Sequence, residues 1–293
     1  MSNMIGSTPL VQLGSNLYAK AEFLNLTGSV KDRAAKYILD DAEARGLLQP
    51  GGTIIEPTSG NMGIALAALA APRGYRCIIV MPDSMSAERQ LLMRAYGAQV
   101  VLTPGAEGMA GSLAKAAALA QEIPGSFVPG QFENPANALA HYCTTAPEIW
   151  AQTGGNADIF VAGVGTGGTL TGTGRYLKEQ NPALRVVAVE PASSPLLSAG
   201  IAGSHGIQGI GANFVPALLD RSLLDDVVTI TDAQAFAAAR ELARTRGILA
   251  GISAGANFHA ASLLAARHPD KTVVTLLPDA GTRYLSSGLF DLL

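Results

Sequence analysis

Ile159-Phe160-Val161-Ala162-Gly163-Val164-Gly165-Thr166-Gly167-Gly168-Thr169 is the stretch on which the fold turns. Four apolar residues run without a polar interruption, which fits a strand covered on both faces. Four glycines then fall within the six positions 163–168, and a helical pattern follows over 169–180. A strand that passes through a glycine-rich turn into a helix is the unit of a parallel sheet. Glycines let the backbone approach a bound group closely. Successive N–H groups in such a turn form an anion-binding nest, and the hydroxyls of Thr166 and Thr169 add donors. A phosphate is the natural guest. The same loop matches G-x-G-x-x-G through Gly163, Gly165 and Gly168, with Glu190 at the end of the next strand where a ribose-binding acid belongs. A nicotinamide-dependent dehydrogenase is therefore a rival reading. The fingerprint usually opens a Rossmann domain, however, whereas here it lies mid-chain, and two threonines suit a single terminal phosphate better than a pyrophosphate.

The same grammar recurs along the chain. Apolar, β-branched-rich runs at 53–55, 77–81, 99–102, 159–162, 185–189, 227–230 and 272–277 read as strands. Between them, 61–71, 86–96, 108–122, 136–152, 169–180, 232–246 and 255–267 read as helices. This alternation predicts an α/β fold, a mostly parallel sheet with helices on both faces. Ligands then belong at the carboxyl ends of the strands. The Gly-, Pro- and Asn-rich segment 125–135 reads as a joint between two α/β units.

Composition narrows the function. The chain has 293 residues, 48% of them apolar, which excludes disorder. A net charge of -3 with scattered Lys and Arg argues against a nucleic-acid surface. Cys77 and Cys143 cannot build a disulfide framework or a cysteine-rich metal site, and the four histidines lack metal-ligand spacing. The longest apolar run, 64–71, is too short to span a bilayer. The first residues lack the basic and apolar regions of a signal peptide, so a cytoplasmic location is expected. Glycine occurs 33 times, about a dozen more than average usage predicts.

Two further Gly/Ser/Thr-rich loops precede helices. Thr58-Ser59-Gly60-Asn61-Met62-Gly63 offers hydroxyls and a helix start to a carboxylate or phosphate, or reads as an ordinary cap with turn glycines. Gly251-Ile252-Ser253-Ala254-Gly255 makes Ser253 a candidate N-cap. The stretch Gly206-Ile207-Gln208-Gly209-Ile210-Gly211 reads as a mobile or tightly turned loop with a structural role. Lysine is scarce, with six in the chain. Five read as surface or structural residues, Lys20 among them as a structural partner in a strand-like run. Lys31 is the odd one. It follows Ser29, a candidate N-cap that forms a capping-box-like pattern with Asp32. Its cation would sit at the positive end of a helix dipole, which lowers a lysine pKa. A neutral amine is what Schiff-base chemistry needs. An amine, a phosphate nest and a carboxylate loop together point to pyridoxal phosphate acting on an amino acid.

Ser29-Val30-Lys31-Asp32-Arg33, Thr58-Ser59-Gly60-Asn61 and Gly165-Thr166-Gly167-Gly168-Thr169, in that order, resemble the cysteine synthases, or O-acetylserine sulfhydrylases. These are fold-type II pyridoxal-phosphate enzymes. The resemblance runs from Ile5 to Ser287, and the stretches 81–89 and 141–150 look most like the B-type cysteine synthases. It implies two three-layer α/β/α domains, a larger phosphate-binding one at 1–34 and 136–293 and a smaller substrate-closing one at 35–135. It implies pyridoxal 5′-phosphate as cofactor and L-cysteine formation from O-acetyl-L-serine and sulfide through an aminoacrylate. Lys31 would hold the cofactor and move the substrate proton. Gly165, Thr166, Gly167, Gly168 and Thr169 would cradle the phosphate. Asn61 would bond the ring oxygen, and Ser253 would face the pyridine nitrogen. Thr58, Ser59 and Gln131 would bind the substrate carboxylate. Met62 adjoins that site where the family usually has Thr, which opens substrate choice. The stretch 204–208 looks more like the A-type enzymes and lacks arginines that B-type members can carry. The resemblance implies a homodimer; nothing in the chain itself indicates serine acetyltransferase as a partner. Related β-replacements on serine or O-phosphoserine, cystathionine β-synthase-like chemistry and a non-catalytic relative are the alternatives.

Overall fold

In the computed structural model, residues 4–58 and 60–291 are described. In chain order the strands are β1 (Leu10–Gln12), β2 (Leu17–Ala21), β3 (Thr53–Pro57), β4 (Arg76–Pro82), β5 (Gln99–Thr103), β6 (Ile159–Gly163), β7 (Arg185–Pro191), β8 (Asp226–Ile230) and β9 (Val273–Leu277). The helices are α1 (Lys31–Ala44), α2 (Asn61–Ala70), α3 (Ala87–Ala95), α4 (Gly108–Glu122), α5 (Ala136–Ala140), α6 (Ala146–Gln152), α7 (Gly168–Gln180), α8 (Leu196–Ala199), α9 (Asp232–Arg246) and α10 (Ile252–Arg267). Every strand read from an apolar run is present. The short β1 and β2, which lack the strand–turn–helix pattern, complete the set.

The strands form two sheets. One has the order β1-β2-β9-β6-β7-β8, the other β3-β4-β5. All pairings are parallel except β1 with β2. Apolar layers cover both faces of each sheet. On the small sheet, Ile54 and Ile79 join α1 and α2 on one face, while Ile55, Ile78 and Val80 meet Ala116 of α4 on the other. On the large sheet, Val161 and Val187 face α9 and α10, while Phe160 and Val186 face α7. This two-faced burial is why the strands read as continuous apolar runs.

Three local expectations change. The helix read over 136–152 is one rod, but its middle turn, His141–Thr145, is a π-helix. Such turns cluster at functional sites. The capping box at Ser29 does not form: Asp32 instead accepts from the backbone N–H of Thr27 at 2.6 Å and from its hydroxyl, closing the turn before α1. Ser253 is not an N-cap, because α10 begins at Ile252 and its loop joins two helices rather than a strand to a helix.

A buried ion network fixes the start of α1. Arg33, 1% exposed, pairs with Glu22 at 2.7 Å and with Glu148 of α6 at 2.7 Å. Lys20 of β2 reaches the same Glu148 at 2.6 Å. Burial alone would raise the Glu148 carboxyl, but Arg33 and Lys20 hold it down at about 2. Among the described residues no helix is long and apolar enough to cross a membrane.

Candidate active site

Parallel strands β2, β9 and β6 lie side by side, so their carboxyl ends share one edge. The segment after β2 leads to Lys31, the segment after β9 carries Asp279 and Arg283, and the turn after β6 is the glycine-rich loop. A small cleft, partly open to solvent, has Lys31, Thr166, Thr169, Ser253 and Asn257 among its lining.

Lys31 is the first residue of α1 and is half-buried. Its backbone is pinned at this edge by Val30 N–H, which donates to Pro278 O at 2.8 Å. Burial pushes the Lys31 ammonium below the ordinary lysine range, while the Asp279 carboxylate pulls the other way. The helix start opposes the cation as well. The result is an amine poised toward its neutral, nucleophilic form.

The turn after β6 is shaped by its neighbours. A Cβ on Gly165 would lie 2.4 Å from Gly209 O. Gly167 has φ +83°, and a Cβ there would meet Leu219 N at 2.8 Å. The glycines thus clear space first for the protein's own chain, and Thr169 and Leu170 in the first turn of α7 line the cleft, where a helix leaves its first N–H groups without intrahelical partners. Thr166 Oγ1 accepts from Asn137 Nδ2 at 3.0 Å. Thr169 Oγ1 meets His141 Nε2 at 3.2 Å, and His141 Nδ1 meets Thr145 Oγ1 at 2.9 Å. His141 is fully buried, and burial with the charges of Lys31 and Arg33 keeps its pKa well below the usual histidine value. A neutral imidazole between two threonines fixes the rotamer of Thr169. His141, four residues after the buried Asn137, is the first residue of the π turn, and Thr145 is its last. Across the cleft, Ser253 is 3% exposed in the first turn of α10, and Gly209 lies against it. One turn on, Asn257 accepts from Gly163 N–H at 2.8 Å and donates to Leu276 O at 3.0 Å, clipping β6 to β9.

The loop after β3 approaches from the small sheet. Thr58 is buried, and its hydroxyl accepts from Gly60 N–H at 3.3 Å. Asn61, at the start of α2, donates to Asp279 Oδ2 at 2.7 Å and accepts from Arg283. Tyr284 also donates to Asp279 Oδ2, at 2.6 Å. Met62 is 1% exposed and packs in the apolar core of the small sheet, so its side chain reaches the loop only through that packing. Gln131 is 6% exposed, and its carbonyl accepts from Asn137. Ser59 lies outside the described residues.

The structure thus brings Lys31, the 165–169 turn and Ser253 to one cleft. Asn61 is tied to Asp279, whose charge acts on Lys31. Asn137, His141, Asn257 and Asp279 were not singled out by the residue patterns. For Asp279 the signal existed, since it sits two residues beyond the end of β9. For His141 the signal was only its spacing, four residues after the buried Asn137 on the same helix face. Glu190 is not free for a ribose: its carboxylate accepts from Leu197 N–H at 2.7 Å and from the N–H and hydroxyl of Ser198.

A covalently held aldehyde cofactor with a phosphate handle suits this arrangement, and sequence comparison agrees. The chain belongs to the pyridoxal-phosphate dependent enzyme family, whose model matches residues 1–279. Its cofactor is therefore pyridoxal phosphate, and the dehydrogenase reading falls. Within that family it is cysteine-synthase-like. It is 50% identical to a probable cysteine synthase of Bacillus subtilis, over 99% of this chain and 97% of the relative. It resembles the crystal structure of an O-ureido-L-serine synthase with a TM-score of 0.95 and 49% identity, covering 99% and 94% of the two chains. An O-acetylserine dependent cystathionine beta-synthase of Helicobacter pylori gives a TM-score of 0.94 at 44% identity, covering 99% and 97%. The donor set fits the cofactor: a depressed-pKa amine, threonine hydroxyls at a helix start and a serine hydroxyl line the same cleft.

Proposed function

We propose that the chain catalyses β-replacement on O-acetyl-L-serine with sulfide, releasing acetate and forming L-cysteine. The observation that carries this reading is the Lys31 amine, depressed by burial, in one cleft with the anion cradle and with a hydroxyl, Ser253, rather than a carboxylate. When bound, pyridoxal phosphate supplies an electron sink that makes the amino acid's α-proton acidic and lets a β-leaving group depart. Lys31 holds the cofactor, takes the proton from the α-carbon, and returns it there at the end of the cycle. The turn Gly165, Thr166, Gly167, Gly168 and Thr169 holds the phosphate through backbone N–H and hydroxyl donors. Asn61 donates one N–H to Asp279 and keeps a second for the ring oxygen. Ser253 faces the pyridine nitrogen. A hydroxyl there leaves that nitrogen largely unprotonated, which favours loss of a β-group over transamination. Thr58, Ser59 and Gln131 bind the substrate carboxylate, and Met62 shapes that loop from behind. Residues 35–135 close as a unit over 1–34 and 136–293 and exclude water from the β-carbon. The working form is a cytoplasmic homodimer.

The O-ureido-L-serine synthase and cystathionine beta-synthase likenesses favour a second reading, in which the same residues deliver another nucleophile. One experiment separates these. The purified protein is expected to be yellow. O-acetyl-L-serine is expected to change its absorbance, and sulfide to reverse the change more efficiently than L-homocysteine or hydroxyurea. A colourless protein after incubation with pyridoxal phosphate overturns both readings. Reversal chiefly by another nucleophile selects the second.

A further inference from the structure

Glu56 on β3 is a carboxylate that the chemistry above leaves unused. It is 1% exposed. Burying a carboxylate without a cation is costly, and among the described residues no Lys, Arg or His acts on it. What faces it is one loop. Glu56 Oε2 accepts from Gly130 N–H at 3.1 Å, and the N–H and side-chain amide of Gln131 favour the same charged carboxylate. The chain reaches this point along β3, where Ile55 N–H donates to Phe127 O at 2.9 Å and Phe127 N–H to Thr53 O at 2.8 Å. At Gly130, φ +63°, it turns away from the strand. Gln131 O then accepts from Asn137 Nδ2 at 2.8 Å, and the same nitrogen donates to Thr166 Oγ1 at 3.0 Å. A continuous set of contacts therefore runs from a buried acid on the small sheet, through Gln131, to a threonine of the anion cradle.

We propose that Glu56 is a positioning residue for substrate binding: its carboxylate holds Gly130 and Gln131 so that Gln131, tied through Asn137 to Thr166, presents its amide to the amino-acid carboxylate. This rests on the assignment of Gln131 to the carboxylate subsite. Protonated Glu56 loses acceptor capacity toward Gly130 and Gln131. Burial raises the Glu56 carboxyl to about 7, so its hold on the loop weakens as pH falls through that value. Cys77 on neighbouring β4 is the titratable side chain sharing this surround, and burial together with Glu56 pushes its thiol up to about 12, so it stays neutral across the window.

Glu56→Gln in the holoenzyme tests this. It keeps the shape of the side chain and removes the charge. KM for O-acetyl-L-serine and the dissociation constant of L-serine, read by the absorbance of the bound cofactor, are expected to rise about tenfold, the worth of one charge-assisted hydrogen bond. kcat is expected to stay within about twofold, since Lys31 is untouched. In the wild type KM is expected to rise as pH falls from about 8 to about 6, and in the variant to be high and flat. Hydrogen exchange at the Gly130 and Gln131 amides is expected to speed up, and Glu56→Asp to restore part of the affinity. A folded Glu56→Gln enzyme with wild-type KM and wild-type pH dependence overturns the proposal alone. A loss confined to kcat overturns it too. A wild type that binds no amino acid overturns it together with the proposed function.

Discussion

The turn after β6 (163–169) and the turn after β3 (58–63) both follow a parallel strand, carry two glycines or more with hydroxyl residues, and open a helix. Their surroundings differ. Away from the cleft, the β6 turn is crowded by the backbone of Gly209 and Leu219 and by Asn137 of α5, which occupy the space a Cβ on its glycines would need. The β3 turn is held across the cleft by residues that follow β9. Asn61 bonds Asp279 and Arg283, and Arg89 of α3 lies 4.8 Å over the Tyr284 ring. Glu88 also accepts from the N–H and hydroxyl of Ser286 at 2.9 and 2.7 Å. One turn is fixed by the packing around its own glycines. The other depends on contacts between the two sheets' loops, the kind of bond that opening and closing would break and remake.

Substitutions can break this contrast, beginning with the largest effect. Lys31→Ala removes the amine that shares the cleft with the β6 turn and feels the charge of Asp279, to which Asn61 of the β3 turn is bonded. Borohydride reduction followed by mass spectrometry is expected to show no cofactor attached, with kcat lower by about 10² to 10⁴-fold; a retained reducible adduct would refute the role of Lys31. Gly165→Ala puts a Cβ 2.4 Å from Gly209 O, backbone that has no room to yield. It is expected to lower unfolding free energy by about 1–3 kcal/mol and to weaken cofactor retention on dialysis. A stable variant with full retention would show that the cradle tolerates movement.

Asp279→Asn acts on the other turn. It removes the charge that Asn61 and Tyr284 bond, at an expected cost of about 1–2 kcal/mol in thermal or urea unfolding. It also removes the charge that raises the Lys31 pKa. The sign follows: Lys31 becomes easier to deprotonate, and the pH dependence of cofactor uptake by the apo-protein shifts to lower pH. An unshifted profile would separate Asp279 from Lys31. Met62→Thr is the mildest test. It leaves a small gap in the apolar core, expected to cost about 1–3 kcal/mol of stability, with a KM change smaller than that of Glu56→Gln.

Much of this arrangement was legible in the residues. The strand–turn–helix grammar located both turns, because apolar runs and glycines act locally. Lys31 was legible from its place at a helix start. Asp32 was misread, since spacing alone did not reveal that Thr27, five residues back, rather than Ser29 would claim its carboxylate. His141 was passed over, because a lone histidine in a helical run carries no local sign of the threonines it meets, one of them on α7. Asn137 sat in a run read simply as helix, and Glu56 lay just past the 53–55 run, in the part of β3 that the structure adds.

The sequence by itself determined the α/β alternation, the glycine-rich turns, the single oddly placed lysine and the family likeness. These are properties of neighbours in the chain. Only the tertiary structure decided that β2, β9 and β6 end on one edge. That edge sets Asp279 opposite Asn61 across 218 positions of chain. It also set Glu56, Gln131, Asn137 and Thr166 in one line of contact. The physical reason is that a strand's pattern records which faces are buried, while the order of strands in a sheet is set by packing among distant segments.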